Sequence, residues 1–106
     1  MSEAAMSVPG AEPGPAVVIQ VGETLDGVSA EAIRPALMEA LDGSGAAIDM
    51  SAVRRISTTG MQFLMSALET ASMRDVPVHI TSPSAGFVRA LETLGLTPFF
   101  AKWIRL

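Results

Sequence analysis

The chain has no cysteine and no tyrosine, and only one histidine and one tryptophan among its 106 residues. Without cysteine there are no disulfides, no thiolate metal sites and no Cys-His catalytic pair. A single histidine, His79, leaves no multi-histidine metal site. Basic residues are scarce too: seven Lys and Arg stand against eleven Asp and Glu, for a formal net charge of −4. Only Arg54 and Arg55 are adjacent, so the clustered cations that phosphate neutralisation needs are missing and nucleic acid is not an expected partner. No phosphate loop of the GxxxxGK type occurs. No apolar run approaches the roughly 20 residues that cross a bilayer. Residues 1–15 hold Glu3 and Glu12, no basic residue and no apolar stretch, which is unlike a secretory signal. These absences predict a cytoplasmic protein with no membrane insertion and no cofactor. No nucleophile, base and oxyanion donor come together in the pattern, so catalysis is not expected.

What remains is 49% hydrophobic residues in a length suited to one domain. Pro9, Gly10, Pro13, Gly14 and Pro15 mark residues 1–15 as a flexible leader, with the domain over 16–106. The β-branched run at 16–21 predicts a buried strand. After Asp26-Gly27, Ser29 can cap a helix that presents Ile33, Ala36, Leu37, Ala40 and Leu41. Pro35 conflicts with that reading, because proline inside a helix costs about 3 kcal/mol. A start near Ala32, with Pro35 in the first turn, is the preferred solution; a kink is the other. Gly43-Ser44-Gly45 ends the helix and residues 46–50 form a central strand ending near Asp49, with 51–57 as a loop.

A second helix is predicted from Thr59 to about Arg74, with Met61, Leu64, Met65 and Leu68 as its core stripe. Thr59 and Gln62 have capping-box spacing, which makes Thr59 the expected N-cap. Phe63 falls roughly opposite the stripe, with Ser66, Thr70 and Arg74; it is a candidate partner contact or packs against a neighbouring helix. Residues 76–81 read as a third strand, with His79 on its other face. Ser82-Pro83 reads as a helix start, Phe87, Val88, Leu91 and Leu94 as a helix face, and Gly95 as its C-terminal cap. Phe99, Phe100, Trp103 and Ile104 make residues 96–106 too apolar to hang free; they are expected to cover a sheet edge or the bottom of the core. Strands separated by helices, without hairpin dipeptides, imply parallel pairing by crossovers. The fold class is α/β: a small sandwich of about four mostly parallel or mixed strands against about four helices.

Four segments in order, Gly22-Glu23-Thr24-Leu25-Asp26, Ile48-Asp49-Met50-Ser51-Ala52-Val53, Ile56-Ser57-Thr58-Thr59-Gly60-Met61, and Ser82-Pro83-Ser84 with Leu94-Gly95-Leu96, resemble the STAS domain, the family of anti-sigma factor antagonists. The likeness runs from about residue 17 to 100. It implies a regulatory binding module whose switch motif, D-S-S/T-G-L, is phosphorylated on the hydroxyl residue after the aspartate. That position here is Thr58; Thr59 and Gly60 match the two that follow, and Ser57 stands where the family has aspartate. The resemblance also places Asp49 close to the switch, which with Ser57, Thr59, Gln62 and Phe63 gives the candidate partner-binding residues. Read from the residues alone, Thr58 supplements the helix cap, and Asp49 bonds loop N–H groups or pairs with Arg54 or Arg55; these are the preferred readings without the resemblance. The family usually has two strands before its first helix, where this sequence offers one, so an edge strand is expected to be lost. The V-R-R-I-S-T-x-x-x-Q-x-L pattern is similar to STAS proteins of chemotaxis clusters. The implied partners are an anti-sigma-type Ser/Thr kinase or a chemotaxis component. The alternative is a structural subunit on the ATPase of a lipid-transport complex, needing no phosphorylation. A monomer or weak dimer is expected.

Overall fold

A computed structural model describes residues 17–105; the leader expected over 1–15 lies outside them. The chain runs β1 (Val17–Gln20), β2 (Thr24–Leu25), α1 (Gly27–Leu41), β3 (Ala46–Asp49), β4 (Arg55–Ile56), α2 (Thr58–Arg74), β5 (Val78–Thr81), α3 (Ala85–Leu94), α4 (Thr97–Phe100), a 3-10 turn (Ala101–Trp103) and β6 (Ile104–Arg105). The main sheet has the order β1-β3-β5-β6, and each pairing in it is parallel. The α/β class predicted from the alternation of elements is the observed one, with four helices and a four-stranded sheet among the described residues. Ile19, Ala46, Ile48, Val78 and Ile80 are buried beside Leu37, Leu64, Leu68 and Phe87 in one core. Alternate strand residues face away from it, and Val18 there is 63% exposed.

The lost edge strand is a correction in two parts. The segment before α1 contains a second strand after all, but β2 pairs with β4 in a separate two-stranded ladder. The fourth place in the main sheet goes to β6 from the tail, alongside β5. The tail therefore extends the sheet as well as covering it. Phe100 is fully buried, edge-on to Phe87 at 5.7 Å and to Phe99 at 5.1 Å, and Trp103 closes the stack. Residues 51–57, expected as a loop, contain β4.

Helix α1 begins at Gly27, earlier than the start predicted near Ala32. Its N-cap is Asp26, which accepts from the Ser29 N–H (3.0 Å) while the Asp26 N–H donates to Ser29 Oγ (2.9 Å). This reciprocal box sets the start, so Pro35 falls mid-helix. Pro35 is exposed, on the side where water can serve the carbonyl left without a helix partner. Burial of Leu37, Ala40 and Leu41 offsets the cost. Helix α3 begins two residues past Ser82-Pro83: Ser82 has φ +50°, and Ser84 is the N-cap, accepting from the Phe87 N–H at 3.0 Å. Gly95 ends it at φ +71°, as its position predicts.

Candidate protein-docking site

Helix α2 starts at Thr58, and its N-cap is Ser57, not the expected Thr59. The cause is non-local. Thr24 and Leu25 of β2 pair with Arg55 and Ile56, and the Ser57 N–H donates to the Leu25 carbonyl at 2.9 Å. That pairing holds Ser57 in extended conformation (φ −86°, ψ 167°), where a cap residue must be. Ser57 Oγ accepts from the Gly60 N–H at 3.0 Å and the Ser57 carbonyl from the Met61 N–H at 2.8 Å. Gly60 is required for this geometry, because a Cβ there would drive into the Leu25 carbonyl. The glycine in the Ser-Thr-Thr-Gly motif thus serves helix-to-strand packing.

With Ser57 engaged, Thr58 occupies the first helical position. It is exposed, and its hydroxyl has no hydrogen-bond partner among the described residues. The first-turn N–H groups that stay unpaired inside any helix make this end electropositive, and no acidic residue occupies the turn. A groove of about 370 Å³ beside Thr58 is lined by Arg54, Ile56, Arg89, Thr93 and Leu94. Its second wall is α3, latched to the segment before β4. The Ser84 hydroxyl donates to the Val53 carbonyl at 2.6 Å. Gly86 lies so close to that segment that a Cβ would sit 3.0 Å from the Arg54 carbonyl oxygen.

The other candidates are distributed differently. Gln62 is exposed one turn after Thr58, on the same side of α2; the box predicted between it and Thr59 does not form. Thr59 is exposed, and its methyl group lies beside the Gly27 backbone at the start of α1. Phe63 is half-buried in the seam between α1 and α2, packed on the core with the Arg34 guanidinium 5.3 Å from its ring centre. Phe63 thus packs against the neighbouring helix, with part of its ring still exposed. Asp49 sits in a different depression, with Gln20, Gly22 and Ser51. It accepts from the Ser51 N–H at 2.9 Å, and that bond holds its carboxyl below the usual 3.8. The loop N–H is thus its partner, and it makes no ion pair with Arg54 or Arg55 among the described residues.

Arg89 was not among the sequence candidates. Nothing in the sequence signals it, because its neighbour Arg54 is thirty-five positions away and only the latch at Ser84 and Gly86 joins them. Among the described residues no three His, Cys, Asp or Glu side chains gather as a metal site, and no helix is long and apolar enough to cross a membrane.

A family model described as "Mlab, STAS domain" matches residues 10–101. No curated protein matches the sequence. Among solved structures, the chain is similar to a sulfate transporter family protein from Wolinella succinogenes, with TM-score 0.67 and 19% identity over 83% of this chain and 75% of that one. It is also similar to the anti-sigma factor antagonist SpoIIAA in its unphosphorylated form, with TM-score 0.64 and 16% identity over 87% and 80% of the two chains. The Bacillus cell fate determinant SpoIIAA in its phosphorylated form gives 0.63 and 16% over 87% and 83%. At these identities the likeness is one of fold.

Proposed function

We propose, from the premise that this chain belongs to the STAS domain family, that it is a cytoplasmic signalling module, without catalysis or cofactor, whose choice of protein partner is set by phosphorylation of Thr58. The observation that carries this reading is the division of labour at the start of α2. Ser57 carries the cap, so the Thr58 hydroxyl is exposed and unengaged among the described residues, and modifying it leaves the helix its first-turn bond. A phosphate there brings close to two negative charges to a helix N-terminus, where an anion is favoured. The partner face then changes sign locally without unfolding. Residues 16–106 are the folded unit, acting as a monomer or weak dimer. On this reading Ser57, Thr59 and Gln62 contribute to the partner face beside Thr58, and Asp49 and Phe63, which line other depressions, add secondary contacts. Partners of this chemistry are an anti-sigma-type Ser/Thr kinase or a chemotaxis component.

The serine at position 57, where the family pattern has aspartate, favours a second reading: a constitutive subunit seated on the ATPase of a lipid-transport complex. Intact-mass spectrometry of the protein from its native cells, in growth and under stress, separates the two. A gain of one phosphate mapping to Thr58 is the expected result. An unmodified chain in both conditions overturns the switch and leaves the subunit.

A further inference from the structure

The groove beside Thr58 differs in charge from the molecule around it. The chain as a whole carries −4, yet Arg54, Arg55 and Arg89 are exposed at this one end, and none has a carboxylate within ion-pair distance among the described residues. Arg34 and Arg74, by contrast, are bound to Glu31 and Asp42 at 2.9 and 2.8 Å. Between Arg54 and Arg89 the lining is apolar, from half-buried Ile56 and from Leu94, which is 55% exposed. The latch of Ser84 and Gly86 onto residues 53 and 54 fixes the spacing of the two walls.

We propose that this groove receives an acidic segment of a partner protein, with carboxylates on Arg54 and Arg89 and an aliphatic side chain against Ile56 and Leu94. The planar guanidinium matches a carboxylate with two hydrogen bonds, and both arginines are unspent. Nucleic acid fits poorly, because a polyphosphate approaches a molecule of net negative charge with only a local basic spot to hold it. A phosphate on Thr58 then has a definite effect: it occupies the same arginines from within the chain and displaces the segment. That last step rests on the reading of Thr58 as the modified residue, whereas the groove's preference for acidic chain stands on the arginines alone.

The test is a titration of the isotope-labelled full chain, followed by amide shifts, with a blocked peptide of alternating glutamate and leucine and with its lysine-leucine counterpart. The acidic peptide is expected to move the amides of Arg54, Ile56, Thr58, Gly86 and Arg89, and the lysine peptide to move none of them. Raising salt from about 0.1 M to about 1 M, which shortens the screening length from about 10 to about 3 Å, should remove most of the response. Arg54→Glu/Arg89→Glu should weaken binding by about tenfold or more; Arg89→Gln alone should weaken it less and serves if the double variant fails to fold. Thr58→Glu should compete from within. Equal response to both peptides, shifts confined to the α1–α2 seam, or indifference to Arg89→Gln overturns the proposal. If the groove takes the acidic peptide while Thr58 is never modified in cells, the switch reading fails and this one stands. If Thr58 is phosphorylated but the peptide ignores the groove, the reverse holds.

Discussion

Ser57 and Thr58 are neighbours of similar chemistry that do different work. Ser57→Ala removes the acceptor for the Gly60 N–H and should cost about 1 kcal/mol, the usual loss for an N-cap. Thr58→Ala removes an exposed hydroxyl and should stay within about 0.5 kcal/mol of the parent. Thr58→Glu should match or exceed the parent by about 0.3–1 kcal/mol, because a carboxylate in the first turn meets the helix dipole favourably. Urea unfolding of the three variants checks the order; if Thr58→Ala is the costly one, Thr58 is the cap. For Thr58 carrying a phosphate, the second phosphate ionisation, ordinarily near pH ~6, should be shifted down by Arg54 and Arg89, since nearby cations favour the dianion. Phosphorus NMR would read it, and Arg89→Gln should move it back up. An ionisation that Arg89→Gln leaves in place would mean that the arginine does not face the phosphate. The hydroxyl cluster itself is legible in the sequence. Which hydroxyl caps is not, because it depends on where β4 ends, and β4 exists only by pairing with β2 thirty-one residues earlier.

At the scale of elements, three close approaches use glycine, two of them at the site and the third where β3 begins. Gly60 meets the Leu25 carbonyl, Gly86 meets the carbonyls at 53 and 54, and Gly45, at φ +99°, meets Pro77. Gly60→Ala forces α2 away from β2 and should cost about 2–3 kcal/mol by overpacking, with amide shifts at Leu25 and Ser57. A variant as stable as the parent would show that the helix slides freely on the strand. The seam between α1 and α2 offers the complementary case. Phe63 is half-buried there beneath Arg34, so Phe63→Ala should lose about 2 kcal/mol, below the range for a fully buried ring. Thermal or urea unfolding measures it; a loss under about 0.5 kcal/mol would return Phe63 to the surface. Helical periodicity places Phe63 opposite the predicted stripe, whereas the buried arc of α2 runs through Gly60, Leu64, Ala67 and Ala71 and so has Phe63 at its edge.

For the molecule as a whole, titration should show two separate limbs in stability. His79 lies on the less covered face of the sheet with a sealed Nδ1 that has no partner among the described residues. Burial first, and the charge of Arg105 second, hold its pKa below the usual 6.5. The unfolded chain therefore binds a proton near pH 6.5 that the folded chain refuses, so stability falls as pH drops below that point and levels off below the folded pKa. His79→Gln should flatten this limb in urea titrations at a series of pH values; a limb that survives the substitution belongs to another group. The second limb is acidic. Asp26 is held below 3.8 by the Ser29 N–H, and Asp49 by the Ser51 N–H. Their stabilisation is present above the unfolded carboxyl pKa and is lost as pH falls through the lower folded values.

The sequence by itself determined the alternation of strand and helix, the parallel sheet that follows from it, most of the core residues and the position of the Ser-Thr-Thr-Gly motif, because these rest on period and on local turn chemistry. It also carried the family, through four short motifs kept in order. Only the tertiary structure decided where α2 begins, that the tail supplies the fourth strand, and that Arg89 joins Arg54 beside Thr58. Each of these depends on a contact between segments far apart in the chain, β2 with β4, β5 with β6, or Ser84 with Val53. A local pattern has no term for such a contact, since it is chosen by which arrangement buries the most apolar surface while leaving every backbone donor a partner.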